Sequence, residues 1–299
     1  MLDEWLARLA RRDRLALARL LTLVARSEQL DAIRAAVGPK PEATSVVAVT
    51  GNTGVGKSTL VGKLALHLRA RGKTVAVLAC DPQSPITGGA LLGDRVRMPS
   101  RPDDSGLYIR SLAASSGHQA LAEHVDLMIR LLAEFGFDVI LVETVGAGQT
   151  DTAVRDLAEV VVLLIQPESG DELQWEKAGL LEVADVVVVH KADLPGADRV
   201  EGQVKELLSL PGCREIAVLR VSSAKGQGLA ELWSAIESAP RGKAKLAADA
   251  QALLGRAQQV LAERFADRAG SVHPVIDRWQ RRETDLDQAA DELLHVLIE

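Results

Sequence analysis

The sequence predicts an α/β fold with a mainly parallel central sheet buried between helices. Three observations predict it. Short runs of Val, Ile and Leu recur without polar alternation, as expected of strands covered on both faces. Segments with apolar residues at three- and four-residue spacing separate most of these runs. The first run also leads through a glycine-rich turn into a helix-like segment and a second run, which is a βαβ unit.

Residues 3 to about 37 carry a helical period, with Leu15, Leu20, Leu21 and Val24 on it, and read as helix. Gly38-Pro39-Lys40-Pro41-Glu42 breaks the period, so residues 1–42 are expected to form an N-terminal helical segment. Residues 45–50 then read as a strand, 57–71 as a helix closed by Gly72, and 75–80 as the next strand. Further strands are expected at 139–142, 160–165, 186–189 and 216–221, with helices near 119–134, 170–182, 200–208 and 229–236. Strands stop at about Pro240. Residues 243–267 return to helical spacing, a Gly/Pro-containing connection follows, and a last helix runs from about 285 to 298. The expected divisions are 1–42, 43–240 and a helical extension over 241–299.

At 299 residues the chain is long enough for one large α/β domain with attached helices. A net charge of −6 argues against nucleic acid as the main partner, because phosphate backbones require a basic surface. An aromatic content of 3% leaves little to stack on bases. The basic cluster from Arg8 to Arg19 reads as a solvated helix face. Two cysteines, Cys80 and Cys213, make no Cys-x-x-Cys pair and no disulfide framework, which suits a reducing compartment. The N-terminus has no signal-peptide core, and no apolar run approaches the ~20 residues of a membrane span. The expectation is a cytoplasmic protein with neither a membrane nor a nucleic-acid partner.

Gly51-Asn52-Thr53-Gly54-Val55-Gly56-Lys57-Ser58, followed by Thr59, matches G-x-x-x-x-G-K-[ST] between a predicted strand and a predicted helix. Glycines let backbone N–H groups converge on phosphate oxygens without a Cβ in the way. Lys57 supplies a point charge to the β- and γ-phosphates, Ser58 a hydroxyl for Mg²⁺, and the helix its positive end. The domain over 43–240 is therefore expected to be a P-loop NTPase.

Asp81 follows the strand at 75–80, at the sheet edge where ligands of open α/β folds bind. A carboxylate there suits Mg²⁺, although an Asp before Pro82 is also a good turn former. Glu143 ends another strand and precedes Thr144-Val145-Gly146. A carboxylate followed by a glycine is the form of a nucleotide-sensing switch, in which the Gly146 N–H bonds the γ-phosphate. Asp94, in Gly93-Asp94-Arg95, is a third candidate metal carboxylate, against a plain surface role.

His190-Lys191-Ala192-Asp193 follows the strand at 186–189. Guanine presents donors at N1 and N2 and adenine an acceptor at N1, so the Asp193 carboxylate selects GTP over ATP. The stem of Lys191 would lie along the base plane, and Ser223-Ala224 could offer a backbone N–H to the guanine carbonyl.

Taken together, these motifs resemble the MeaB/ArgK-type GTPases, chaperones of adenosylcobalamin-dependent methylmalonyl-CoA mutase and related acyl-CoA mutases. The resemblance rests on G-N-T-G-V-G-K-S-T at 51–59, D-P-Q-S-P-I-T-G-G-A-L-L-G-D-R-V-R-M at 81–98 and V-E-T-V-G-A-G-Q-T-D at 142–151. It continues through G-D-E-L-Q at 170–174 with Lys177, K-A-D at 191–193 and S-A-x-x-G-x-G-L at 223–229. The resemblance implies magnesium and switch roles for Asp81, Asp94 and Glu143. It implies a third, mutase-facing switch loop carrying Asp171, Glu172 and Lys177, and a homodimer formed through the C-terminal extension.

Three features depart from that family's pattern. His190 stands where its members have Asn, and a neutral imidazole could still donate one N–H to guanine N7 or O6. The segment 110–118 lacks a basic residue just before Gly117-His118, and Gln166-Pro167-Glu168-Ser169-Gly170 with Trp175 alters the third switch. Hydrolysis would be attack of water on the γ-phosphate, aided mainly by positioning and charge from Lys57, Mg²⁺ and backbone N–H groups. Asp94, Glu143 and Lys177 join Lys57 as candidate catalytic residues. Arg97, Arg110 and Lys177 are candidate cationic fingers, and Gln149 could orient water. With no clear finger in cis, slow turnover raised by a partner is expected. Alternatives are a metallochaperone-type GTPase, a phosphotransferase acting on a small molecule or protein, or a nucleotide-regulated binding module with little hydrolysis. The first wants a His/Cys-rich tract, whereas the six histidines here are scattered.

Overall fold

The computed structural model describes residues 2–82, 104–114, 124–144, 152–167, 181, 183–209, 216–241, 261, 264–265 and 268–298. The chain divides into two compact units, Met1–Pro240 and Arg241–Glu299. The first is built on seven strands: β1 Ser45–Gly51, β2 Val75–Pro82, β3 Leu107–Ala114, β4 Val139–Glu143, β5 Val160–Ile165, β6 Val186–His190 and β7 Ala217–Val221. Their spatial order is β3-β2-β4-β1-β5-β6-β7, and every neighbouring pair is parallel. Its helices are α1 Leu2–Ala10, α2 Arg14–Ala25, α3 Leu30–Ala36, α4 Lys57–Ala70, α5 Val125–Phe135, α6 Thr152–Leu157, α7 Ala197–Leu208 and α8 Leu229–Ser238.

The unbroken apolar strands follow from burial on two faces. In β1, Val46 and Ala48 enter a core shared with Leu17 and Leu20 of α2 and Leu127 and Leu131 of α5. Val47 and Val49 enter a second core with Leu60 and Leu64 of α4 and Leu232 and Trp233 of α8. A third core joins Val187 and Val189 of β6 to Val200 and Val204 of α7.

Residues 3–37 form three helices rather than one. The chain turns at Arg12 (φ 61°), and again at Ser27 and Gln29 (φ 56° each). Asp13 starts α2 by accepting from the N–H groups of Leu15 at 2.8 Å and Ala16 at 3.3 Å, satisfying donors that the helix leaves open. These helices belong to the first unit, because Leu9, Leu17, Leu20 and Ile33 pack into the same core as α5.

Strand β3 was not evident from sequence. It is an edge strand paired only with β2, and its middle residues Ile109, Arg110 and Ser111 are half-buried, so it lacks a pure Val/Ile run. Helix α6 has six residues, too few to show a period. In the second unit, α9 Ala269–Gln280 occupies the stretch expected to be a Gly/Pro connection, with Pro274 inside the helix. Val272 and Val275 are its buried positions. The last helix is α10 Leu286–Ile298. Arg264 and Arg268 donate to the carbonyls of Leu297 at 2.6 Å and Val296 at 2.8 Å, which satisfies acceptors that a helix end leaves open. Most of the helices expected at 170–182 and 243–267 lies outside the described residues. Among the described residues no helix is long and apolar enough to cross a membrane.

Candidate nucleotide site

β1 lies between β4 and β5, while β2, next in the chain, lies beyond β4. The carboxyl end of β1 is thus the point where connections diverge to the two sides of the sheet, and such points bind ligands in open α/β folds. The loop 52–56 leaves this edge and α4 returns from it. Gly54 and Gly56 have φ of 82° and 98°. No side chain caps the α4 N-terminus at Gly56, so its N–H groups and positive dipole end face the loop. Val55 is buried, Asn52 is half-buried, and Thr53, Gly54 and Thr59 are exposed. Lys57 Nζ donates to the carbonyls of Gly51 at 2.9 Å and Asn52 at 3.2 Å, holding its charge within the loop.

Ser58 Oγ donates to Glu143 Oε1 at 2.6 Å, and both residues are buried. A hydroxyl and a carboxylate oxygen from two elements meet at one point beside the loop. This hard oxygen set fits Mg²⁺, which takes one or two carboxylates, completes its shell with phosphate oxygens and water, and neutralises phosphate charge when bound. A second tie, not anticipated from sequence, joins the ends of β1 and β4. Thr144 Oγ1 donates to Thr50 Oγ1 at 3.1 Å and the Thr144 N–H to Val49 O at 3.1 Å. Asp81 is the penultimate residue of β2 rather than the first residue after it, in register with Ala113. Two residues earlier, Ala79 pairs with Glu143, so the Asp81 backbone lies further along the same edge. Asp94, Gly146 and Lys177 lie outside the described residues, as do Arg97, Gln149, Asp171, Glu172 and Trp175. Arg110 donates from Nη2 to Thr22 Oγ1 of α2 at 3.1 Å.

At the end of β6, Lys191 adopts φ 55° and donates to Gln166 Oε1 at 2.8 Å. The exposed Asp193 accepts from Ser222 Oγ at 2.5 Å. That bond, with its own backbone N–H, holds the Asp193 carboxyl below the usual carboxylate range and keeps it an acceptor. Sequence reasoning chose Ser223 and Ala224 here and missed Ser222, the neighbouring serine of the same turn. Ala224 is exposed on that turn, whereas Ser223 is buried.

Ser223 instead meets His190. The ring Nδ1 lies 2.7 Å from Val55 O and Nε2 lies 2.7 Å from Ser223 Oγ. A carbonyl only accepts, so Nδ1 carries the proton and Nε2 of the neutral ring accepts from the hydroxyl. Burial lowers the imidazole pKa, opposed by the Val55 bond; Lys191 lowers it further and Asp193 raises it. Burial also lowers His67 on α4, aided by Arg71 and opposed by Glu231. Both groups bind protons more weakly folded than unfolded, so stability is full above about pH 6.5 and falls as pH drops through the folded pKa values. The thermal midpoint is expected to fall from pH 7.5 to 5.5. His190→Asn is expected to flatten that fall, and an unchanged slope in this variant would remove His190 as a contributor.

The family described as Methylmalonyl Co-A mutase-associated GTPase MeaB matches residues 17–268. A relative from Pyrococcus abyssi is 41% identical over 245 residues, covering 79% of this chain and 75% of its own length. GTPase ArgK of Escherichia coli is 37% identical over 252 residues, covering 79% of this chain and 75% of its own. The crystal structure of LAO/AO transport system kinase aligns with a TM-score of 0.61 at 23% identity, covering 100% of this chain and 98% of that one, a likeness of fold. With the phosphate loop, the Ser58–Glu143 contact and the parallel sheet in place, the chain belongs to the MeaB family of P-loop GTPases.

Proposed function

We propose that this protein binds GTP with Mg²⁺, hydrolyses it slowly alone, and acts as a chaperone of an adenosylcobalamin-dependent acyl-CoA mutase, in cofactor loading, protection or reactivation. The observation that carries the GTPase reading is the Ser58–Glu143 contact beside the 51–58 loop. The chaperone reading is supported by the family description, which names association with methylmalonyl-CoA mutase.

In this reading the loop N–H groups and the start of α4 bind the phosphates. Lys57 leaves the carbonyls of Gly51 and Asn52 for the β- and γ-phosphates. Ser58 and Glu143 hold Mg²⁺, joined by Asp81 and Asp94, and Gly146 reports the γ-phosphate. Asp193, kept ionised by Ser222, receives guanine N1–H and N2–H, the Lys191 stem supports the base, and the Ala224 N–H meets the guanine carbonyl. Lys177 and the third loop face the mutase. The protein works in the cytoplasm as a homodimer through its C-terminal helices, without nucleic-acid or membrane partners.

Hydrolysis measured with and without such a mutase tests this reading. Turnover is expected to stay slow alone and to rise about tenfold or more with the mutase, where a partner completes the charge stabilisation. Lys57→Ala is expected to fold normally and lose GTP affinity. Rapid turnover without a partner, or full GTP affinity in Lys57→Ala, would overturn it.

A further inference from the structure

We infer that His190 is a positioning residue for the phosphate loop and does not read the base, so that guanine selection passes to Asp193 and the Ser222–Ala224 turn. This rests on the reading of the site as a guanine-nucleotide site. A neutral imidazole has one donor and one acceptor. Here both are used inside the protein, at 2.7 Å to Val55 O and 2.7 Å to Ser223 Oγ, and the ring is buried. Satisfying N7 or O6 of a purine would take the Nδ1 proton from the Val55 carbonyl, leaving a buried acceptor unmatched.

The ring is also in contact with the loop backbone. A Cβ built on Gly56 would lie 2.6 Å from His190 Cε1 and 2.7 Å from Nδ1. His190 therefore joins three pieces of the site: the loop between β1 and α4, the end of β6, and the turn after β7. An asparagine at this position carries two amide protons and an acceptor oxygen, so it can hold a loop carbonyl and still donate to N7. Histidine has the capacity for the first task alone.

The test is the affinity of GDP and 7-deaza-GDP, which lacks the N7 acceptor, for the full chain and two variants. The wild-type protein is expected to bind both within about twofold. His190→Ala is expected to weaken both equally, by about tenfold, the worth of one hydrogen bond to the loop. His190→Asn is expected to restore GDP affinity and to acquire about a fivefold preference for GDP over 7-deaza-GDP, through the new amide proton. A merely structural role would not create that preference. The inference is overturned if the wild-type protein binds 7-deaza-GDP about tenfold more weakly and His190→Ala abolishes the difference. The wild-type comparison stands even if a variant fails to fold, since equal binding supports the inference and N7 discrimination opposes it. Absence of any guanine-nucleotide binding would show a different failure, that of the site reading itself.

Discussion

Arg155→Ala is expected to lower the unfolding free energy by about 3–5 kcal/mol, the range for breaking a buried ion pair from one side. Asp185 enters β6 with its side chain 1% exposed, and Arg155 of α6 meets it with 16% exposed. The carboxylate accepts from Arg155 Nη1 and from the Val161 N–H of β5 at 2.9 Å, while the same guanidinium nitrogen donates to Val183 O at 3.0 Å. Removing the guanidinium leaves the negative charge in the core with its facing cation gone, and deprives the Val183 carbonyl of a donor. Such a pair is weak evidence of net stabilisation by comparison with an apolar replacement, but its one-sided loss is costly. Denaturant titration measures the effect. Asp185→Asn added to Arg155→Ala should return part of the lost stability, because the buried negative charge disappears. A loss under about 1 kcal/mol would place the pair with surface ion pairs instead. The pair also ties α6 to the start of β6, the strand that ends at His190.

The parallel sheet was legible because β1, β4, β5 and β6 are buried on both faces and spell continuous Val/Ile/Leu runs. The phosphate loop was legible because its backbone needs glycine at fixed positions, and a spacing survives without any knowledge of contacts. Edge strand β3 was not, since half-burial admits Arg110 and Ser111 among its apolar residues. The breaks at Arg12 and Gln29 were missed because non-glycine residues adopt positive φ there and the apolar spacing continues on either side. For His190, sequence gives an imidazole in place of an amide. Only the distances to Val55 and Ser223 show that both nitrogens are engaged. Likewise the sequence names no partner for Asp193, which accepts from Ser222 Oγ.

Gly56→Ala is expected to reduce GTP affinity by about 100-fold, from two separate costs. The first is conformational. Gly56 has φ 98°, a region that an L-residue enters at roughly 1–3 kcal/mol. The second is steric, since the new methyl group would lie 2.6 Å from the His190 ring. A free side chain would swing aside at little cost. This ring is pinned at both nitrogens, so it must release Val55 O or Ser223 Oγ, at roughly 1 kcal/mol or more for each buried bond. Costs of about 3 kcal/mol together correspond to the expected loss if they fall on the phosphate-binding form of the loop. Titration calorimetry with GTP measures the loss, and the double variant Gly56→Ala/His190→Ala separates its parts. With the ring gone the clash disappears, but so does the bond that the clash would have broken, so the double variant should bind about as tightly as Gly56→Ala alone, roughly tenfold better than the ~1,000-fold loss that independent effects would give. His190→Ala by itself weakens binding about tenfold, so a double variant no weaker than Gly56→Ala alone requires the two residues to be coupled. A double variant showing the full additive loss of ~1,000-fold would mean that the imidazole yields freely, and the brace between β6 and the phosphate loop would lose its physical basis.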